Sequence, residues 1–83
     1  MKLEIVARSG PLFEGEVSEI VVPAESGELG ILAGHTPLMA ILSAGSVRYT
    51  PTGRSPESIE IERGMITFDS DIALVVADSA MVQ

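Results

Sequence analysis

Few side chains in this 83-residue chain could do chemistry, and none stands in a pattern that a reaction requires. His35 is the only histidine, and it lies between Gly34 and Thr36 in a chain without cysteine. A lone imidazole does not make a transition-metal site, and catalysis by histidine needs a positioned nucleophile that no neighbouring motif supplies. We therefore interpret His35 as a surface or contact residue in a turn.

The carboxylates are numerous, but their spacing is not that of a metal loop or an acid–base pair. Asp69 and Asp71 resemble the beginning of a calcium-binding loop, yet the apolar residues that follow continue a strand instead of supplying ligands. Glu25 and Glu28 could pair for acid–base catalysis, but such pairs act in a deep cleft, for which a domain of this size has little room. The sequence therefore predicts a hairpin turn at residues 69–71 and a solvated acidic face.

The glycines of residues 25–34, ESGELGILAG, could in principle form a phosphate cradle. Such a cradle needs a lysine and a helix N-terminus after the glycines, and neither follows here. Tight turns between short strands explain the same glycines. We predict no catalytic residue, no cofactor and no metal, so the protein is not expected to be an enzyme.

Composition excludes several classes of partner. The formal net charge is −7 with a single lysine, whereas nucleic-acid binding requires clustered cations, so we expect no nucleic acid. The longest uncharged apolar runs, 37–42 and 72–77, are far shorter than the roughly 20 residues of a membrane-spanning helix, so we expect no direct membrane insertion. Because 46% of the residues are hydrophobic, we expect part of the apolar surface to be buried against a partner.

Short apolar runs separated by turn residues predict strands from end to end. Residues 13–22 alternate between apolar and polar side chains with one slip, for which we expect a bulge near Gly15. Residues 58–62 alternate cleanly, and Arg63-Gly64 is expected to end that strand. Residues 72–77, IALVVA, are apolar on both faces and β-branched, which predicts a central position in a sheet.

The run 37–42 is compatible with a strand or a short irregular segment, because Pro37 and Gly45 leave room for only two helical turns. No internal repeat or linker divides the chain, so residues 1–83 are expected to form a single domain. The predicted fold is all-β, a small antiparallel β-sandwich or flattened barrel of about eight to ten short strands.

The order of the glycines and prolines among these strands resembles the N-terminal β-sandwich domain of the epsilon subunit of F-type ATP synthase. The likeness covers nearly the whole chain, and its most specific part is the block GELGILAGHTPL at residues 27–38. The other residues that carry it are Gly15, Val17, Ile20, Val22 and Pro23 before the block, and Gly45, Val47, Arg48 and the segment 72–78 after it.

The chain departs from the pattern of this family in two places. Arg63-Gly64 stands where the family often has Gly-Gly, which we expect to alter only a turn. Typical epsilon subunits continue into a C-terminal helical hairpin that regulates ATP hydrolysis and in some members binds ATP, whereas this sequence ends at Gln83. A naturally short form and a truncated chain both fit, and neither the regulation nor the nucleotide site is carried over.

The resemblance implies a rotor subunit of the central stalk, which docks the gamma subunit onto the membrane c-ring and couples proton translocation to ATP synthesis. It further implies a location peripheral to the energy-transducing membrane on its cytoplasmic side, with the bacterial plasma membrane favoured. The residues that resemble the edge facing the c-ring are Glu28, Leu29 and Gly30. Those that resemble the face near gamma are His35, Pro37, Leu38, Met39 and Ala40.

Two other classes of function stay open at the level of the sequence. A free-standing small β-sandwich adaptor fits the composition equally well and is disfavoured only by the motif block. A small acid-dependent hydrolase would use Asp69, Asp71 or Glu28, and it would need a concave acidic pocket.

Overall fold

The computed structural model describes the backbone of residues 1–82 and the side chains of residues 1–78. Every regular element in that part of the chain is a β-strand, so the predicted all-β fold class is confirmed. The seven strands are β1 (Lys2–Ala7), β2 (Gly10–Ala24), β3 (Gly27–Leu32), β4 (Leu38–Leu42), β5 (Gly45–Pro51), β6 (Glu57–Asp69) and β7 (Ile72–Val82).

There are fewer and longer strands than the sequence predicts, because β6 continues through the expected ending at Arg63-Gly64 and β2 extends beyond residues 13–22 at both ends. β2 has 15 residues and β6 has 13. Arg63 and Gly64 do not end a strand; the pairing of β6 with β7 shifts register on either side of Arg63 and then resumes. The irregularity expected near Gly15 occurs on either side of it. Leu12 has no partner in the pairing of β2 with β1, and Ser18 has none in the pairing of β2 with β5.

The two long strands close the sheet into a flattened barrel. One path through the hydrogen-bonded strands runs β1-β7-β6-β4-β2-β3, while β5 pairs with both β2 and β6, and β1 also pairs with β2. β2 and β6 therefore contribute to both layers. The pairings are antiparallel apart from β1 with β7, which is parallel.

The core lies between the layers and is built from every second residue of the strands. Among the side chains of residues 1–78, no charged group is buried in it. Its largest fully buried members are Phe68, Leu3, Ile5, Ile20, Ile31, Leu42, Ile59 and Ile66. Burial of each such side chain contributes roughly 1.5–3 kcal/mol of transfer free energy to folding. The domain is therefore a packed slab with an apolar interior.

β7 has the central position that its sequence predicts, between β1 and β6. Over residues 72–78, however, only one of its faces is buried. Ala73, Val75 and Ala77 lie in the core, whereas Ile72 is 54% exposed and Val76 is 42% exposed. The apolar residues on the second face belong to the surface of this chain.

Candidate interaction surfaces

His35 is a packed residue of the β3–β4 loop. Its half-buried ring meets Phe68 edge-on, with the ring centroids 6.1 Å apart. Its Nδ1 lies 2.7 Å from the carbonyl oxygen of Thr36, which can only accept, so Nδ1 carries the proton and donates. Among the side chains of residues 1–78, no group of three potential metal ligands lies together.

Residues 69–71 form the predicted hairpin turn between β6 and β7. Asp69 pairs with Ile72 across the turn, and the two residues between them have left-handed backbone angles, φ 51° at Ser70 and 60° at Asp71. Two central residues with positive φ are typical of the turns that suit the twist of a hairpin. The carboxylate of Asp71 accepts a hydrogen bond from the backbone N–H of Gly34, at 2.8 Å.

Tyr49 is the side chain whose pKa is clearly shifted, and its neighbours hold it in place by packing and a hydrogen bond. Burial raises the pKa of Tyr49 to about 12, and the hydrogen bond to Glu57 and the charge of that carboxylate act in the same direction. The hydroxyl donates to Oε1 of Glu57 at 3.2 Å, and the ring packs on Phe13 with a centroid distance of 4.5 Å. A phenol held in its neutral form this way is a poor base at physiological pH.

An apolar surface covers the outer side of β4, β6 and β7. Ile41 pairs with Met65, and Met65 pairs with Val76, so these three side chains stand in one row on the same face. Met39 lies two residues before Ile41 on the same side and is 70% exposed, while Ile41 is 47% exposed. We call the surface formed by Met39, Ile41, Met65 and Val76 the apolar face.

Charges rim one end of the apolar face. A shallow depression there is lined by Ile41, Met65 and Val76 together with Arg63 and Asp78. Nε of Arg63 and Oδ2 of Asp78 are 3.1 Å apart. An apolar centre with a polar rim is the usual arrangement of a protein–protein contact surface.

In the structure, some of the residues predicted to lie near gamma face outward and others face the core. Met39 and Pro37 are exposed, but Leu38 and Ala40 face inward and pack against the core. Ile41, which is not among the residues predicted to face gamma, shares the outward side of β4 with Met39. The alternation of strand side chains could have found it, because residues two apart point to the same face.

The residues predicted to face the c-ring belong to β3, which lies in the other layer of the sandwich. Glu28 and Gly30 are exposed, whereas Leu29 packs against the core. Oε2 of Glu28 lies 3.1 Å from Nη2 of Arg48, across β2. Both side chains are more than half exposed, so the pair contributes only about 0–1 kcal/mol to folding. We call Glu28, Gly30 and Arg48 the Glu28 edge.

None of the elements described for residues 1–82 is a helix long and apolar enough to pass through a membrane.

The model of a protein family described as "ATP synthase, Delta/Epsilon chain, beta-sandwich domain" matches residues 1–83. Among curated relatives, the ATP synthase epsilon chain of Dichelobacter nodosus is 45% identical over 76 residues, covering 92% of this chain and 53% of that one. The ATP synthase epsilon chain of a Janthinobacterium species is 37% identical over 82 residues, covering 98% and 59%. This chain thus spans between half and three fifths of the length of these relatives.

Solved structures share the fold at lower sequence identity. A chain in the cryo-EM structure of the OSCP/F1/c-ring part of the Euglena gracilis mitochondrial ATP synthase superposes with a TM-score of 0.88 at 21% identity, covering 96% of this chain and 51% of that one. A chain in the central stalk/c-ring structure of the Tetrahymena thermophila mitochondrial ATP synthase gives 0.82 at 12% identity, covering 99% and 66%. The sandwich predicted from the glycine and proline pattern is therefore that of its family, and this chain belongs to the beta-sandwich domain family of ATP synthase delta and epsilon chains.

Proposed function

We propose that this domain is a non-catalytic rotor component of F-type ATP synthase, which docks the gamma subunit onto the c-ring and so couples proton translocation to ATP synthesis. Support comes from the relatives, which are ATP synthase epsilon chains, and from the shared fold of chains in ATP synthase structures. The observation that carries the proposal is the pair of exposed surfaces, the apolar face and the Glu28 edge, on opposite layers of one packed slab.

The apolar face is the surface that we assign to the gamma subunit. Met39 and Ile41 expose 70% and 47% of their area, and Val76 adds 42% in the next row of the sheet. Burying such side chains against a partner is favourable in proportion to the apolar area removed from water. Of the residues predicted to face gamma, we therefore expect Met39 to make direct contact, with Leu38 and Ala40 supporting the strand from within.

The Glu28 edge is the surface that we assign to the c-ring. The carboxylate of Glu28 is solvent-accessible and has Arg48 beside it, so both signs of charge are available to polar loops of the ring. A single exposed ion pair with a loop would contribute only about 0–1 kcal/mol. Attachment that withstands rotation would therefore depend on several such contacts made at once, as the symmetry of a ring allows. The domain would lie at the cytoplasmic side of the energy-transducing membrane, in a bacterial host at the plasma membrane.

Placing a charge on the apolar face tests its assignment to the gamma subunit. In a titration with purified gamma subunit, Met39→Glu is expected to weaken binding at least tenfold, because a carboxylate would be buried without a partner. Leu32→Glu is the matched control, since Leu32 is 58% exposed and lies outside the apolar face. Binding of Met39→Glu with unchanged affinity would contradict the assignment of the face, and an unsubstituted chain that does not bind gamma would contradict the function.

A further inference from the structure

A hydrogen bond joins the turn between β6 and β7 to the β3–β4 loop, through two residues that are 37 positions apart in the chain. Oδ1 of Asp71 accepts a hydrogen bond from the backbone N–H of Gly34 at 2.8 Å. Gly34 belongs to the loop of residues 33–37, which joins β3, with its Glu28 edge, to β4, with Met39. A carboxylate that accepts from a backbone N–H makes one of the stronger kinds of hydrogen bond.

Asp71 is itself held on a stiff support. It is the second central residue of a two-residue turn, with φ 60° next to φ 51° at Ser70, and the flanking strands are paired up to the turn. Its own backbone carbonyl oxygen accepts from the N–H of Lys2 at 2.9 Å. Asp71 therefore joins the β6–β7 turn to β1 through its backbone and to the β3–β4 loop through its side chain.

The other hydrogen bonds of the β3–β4 loop are local. The N–H of His35 donates to the carbonyl oxygen of Leu32 at 3.1 Å, and Nδ1 of His35 bonds to the carbonyl of Thr36. Outside the loop, the ring of His35 packs on Phe68 but makes no polar link there. Among the described side chains, Asp71 thus supplies the directional contact that joins this loop to another element.

We propose that Asp71 is a positioning residue, which fixes the β3–β4 loop and thereby the placement of β4 and its Met39 relative to β3 and its Glu28 edge. The consequence for docking depends on the proposed function, since these two strands carry residues assigned to the c-ring and to gamma. Only five residues separate the strands, and Gly34 lies two residues after the end of β3 and four before the start of β4. Loosening this loop would require a partner to order it again on binding, which weakens affinity.

Three variants distinguish the effect of the Asp71 carboxylate from the effect of changing the turn that carries it. Asp71→Gly removes the side chain while glycine accepts the positive φ without strain. Asp71→Asn keeps an oxygen acceptor at the same place, and asparagine also tolerates this backbone conformation. Ser70→Gly is the control, because it alters the same turn at a side chain that bonds only to Asp69.

The first measurement is amide hydrogen exchange of the 83-residue chain, followed at Gly34. Loss of one hydrogen bond is expected to accelerate exchange of the Gly34 N–H about threefold to tenfold in Asp71→Gly. Ser70→Gly is expected to exchange within about twofold of the unsubstituted chain, and Asp71→Asn at a rate between that chain and Asp71→Gly, because its amide oxygen accepts without a charge. Exchange at Gly34 that does not change in Asp71→Gly would overturn the proposal.

The second measurement is titration with purified gamma subunit. Asp71→Gly is expected to bind about threefold to tenfold more weakly, with recovery in Asp71→Asn and no effect of Ser70→Gly. Faster exchange at Gly34 with undiminished gamma affinity would overturn the positioning role. If the unsubstituted chain does not bind gamma, the proposed function fails, whereas the exchange of Gly34 still supports or refutes the bond between turn and loop.

Discussion

Gly64 is the position at which a single methyl group should disturb this fold most directly. A Cβ added there would lie 2.4 Å from the carbonyl oxygen of Val76 and 3.2 Å from Cα of Ala77. Both contacts are with the backbone of β7, so no side-chain rotation can relieve them. Gly64→Ala therefore requires β6 to move away from β7 where their register shifts.

The expected cost follows from two opposing effects. Inserting a methyl group into a packed position costs roughly 1–3 kcal/mol, and the 2.4 Å approach places this case in the upper part of that range. Replacing glycine by alanine returns about 0.4–1 kcal/mol by restricting the unfolded chain. We expect a net loss of about 1–2 kcal/mol, which corresponds to a Tm lower by roughly 5–15 °C for a domain of this size.

Urea denaturation of the 83-residue chain measures this loss, with Gly30→Ala as the matched control. A Cβ at Gly30 meets nothing within 4 Å, and Gly30 does not have a positive φ. Its stability should therefore stay within about 0.5 kcal/mol of the original or rise. A denaturation midpoint of Gly64→Ala equal to that of the unsubstituted chain, with the same m-value, would refute the steric reasoning.

Three further perturbations test other parts of the structure. Because the pKa of Tyr49 rises from 10.0 to about 12 on folding, its neutral form stabilises the fold below pH 10, and this contribution is lost as pH rises through 12. At pH 11 the loss is on the order of 1 kcal/mol, so Tyr49→Phe should flatten the decline of stability between pH 9 and 11, and equal slopes would contradict the assignment. Glu28→Arg should weaken proton pumping by the assembled ATP synthase while the Tm stays nearly constant, since the pair with Arg48 is exposed; wild-type pumping would argue against the Glu28 edge. Ser70→Gly should stabilise the chain by roughly 0.5–1 kcal/mol in thermal unfolding, because it removes a non-glycine residue from φ 51°; a lower Tm would show that this turn is not strained.

Most of the fold could be predicted because core residues alternate with outward-facing residues over most of the strands. Ile59 and Ile61 are buried and Glu62 is exposed, as their alternation indicates. The turn at residues 69–71 was equally predictable, because turn residues cluster there. The family resemblance added the sandwich architecture, which periodicity by itself does not distinguish from other β folds.

Strand continuity could not be predicted, because glycine acts in two ways inside a β pattern. At Gly64 it permits a close approach of β7, which leaves β6 continuous through a shifted register. The same letter pair, Arg63-Gly64, is also a normal strand ending. Whether the strand continues or ends at this pair depends on the partner strand, which lies elsewhere in the sequence. The bond from Asp71 to Gly34 was unpredictable for the same reason, since nothing local links residues 37 positions apart.

The sequence of β7 is apolar on both faces, and this pattern indicates more than a central position in the sheet. Such a run indicates that both faces of a strand are covered. In this chain the core covers one face, through Ala73, Val75 and Ala77, while Ile72 and Val76 remain about half exposed on the other. Met65 on β6 and Ile41 on β4 extend that second face across two neighbouring strands. Apolar residues lined up across three strands need a covering surface, and none of the described residues supplies it. The pattern that predicts a central strand therefore also favours a partner seated on the apolar face, which is the arrangement that the gamma titration tests.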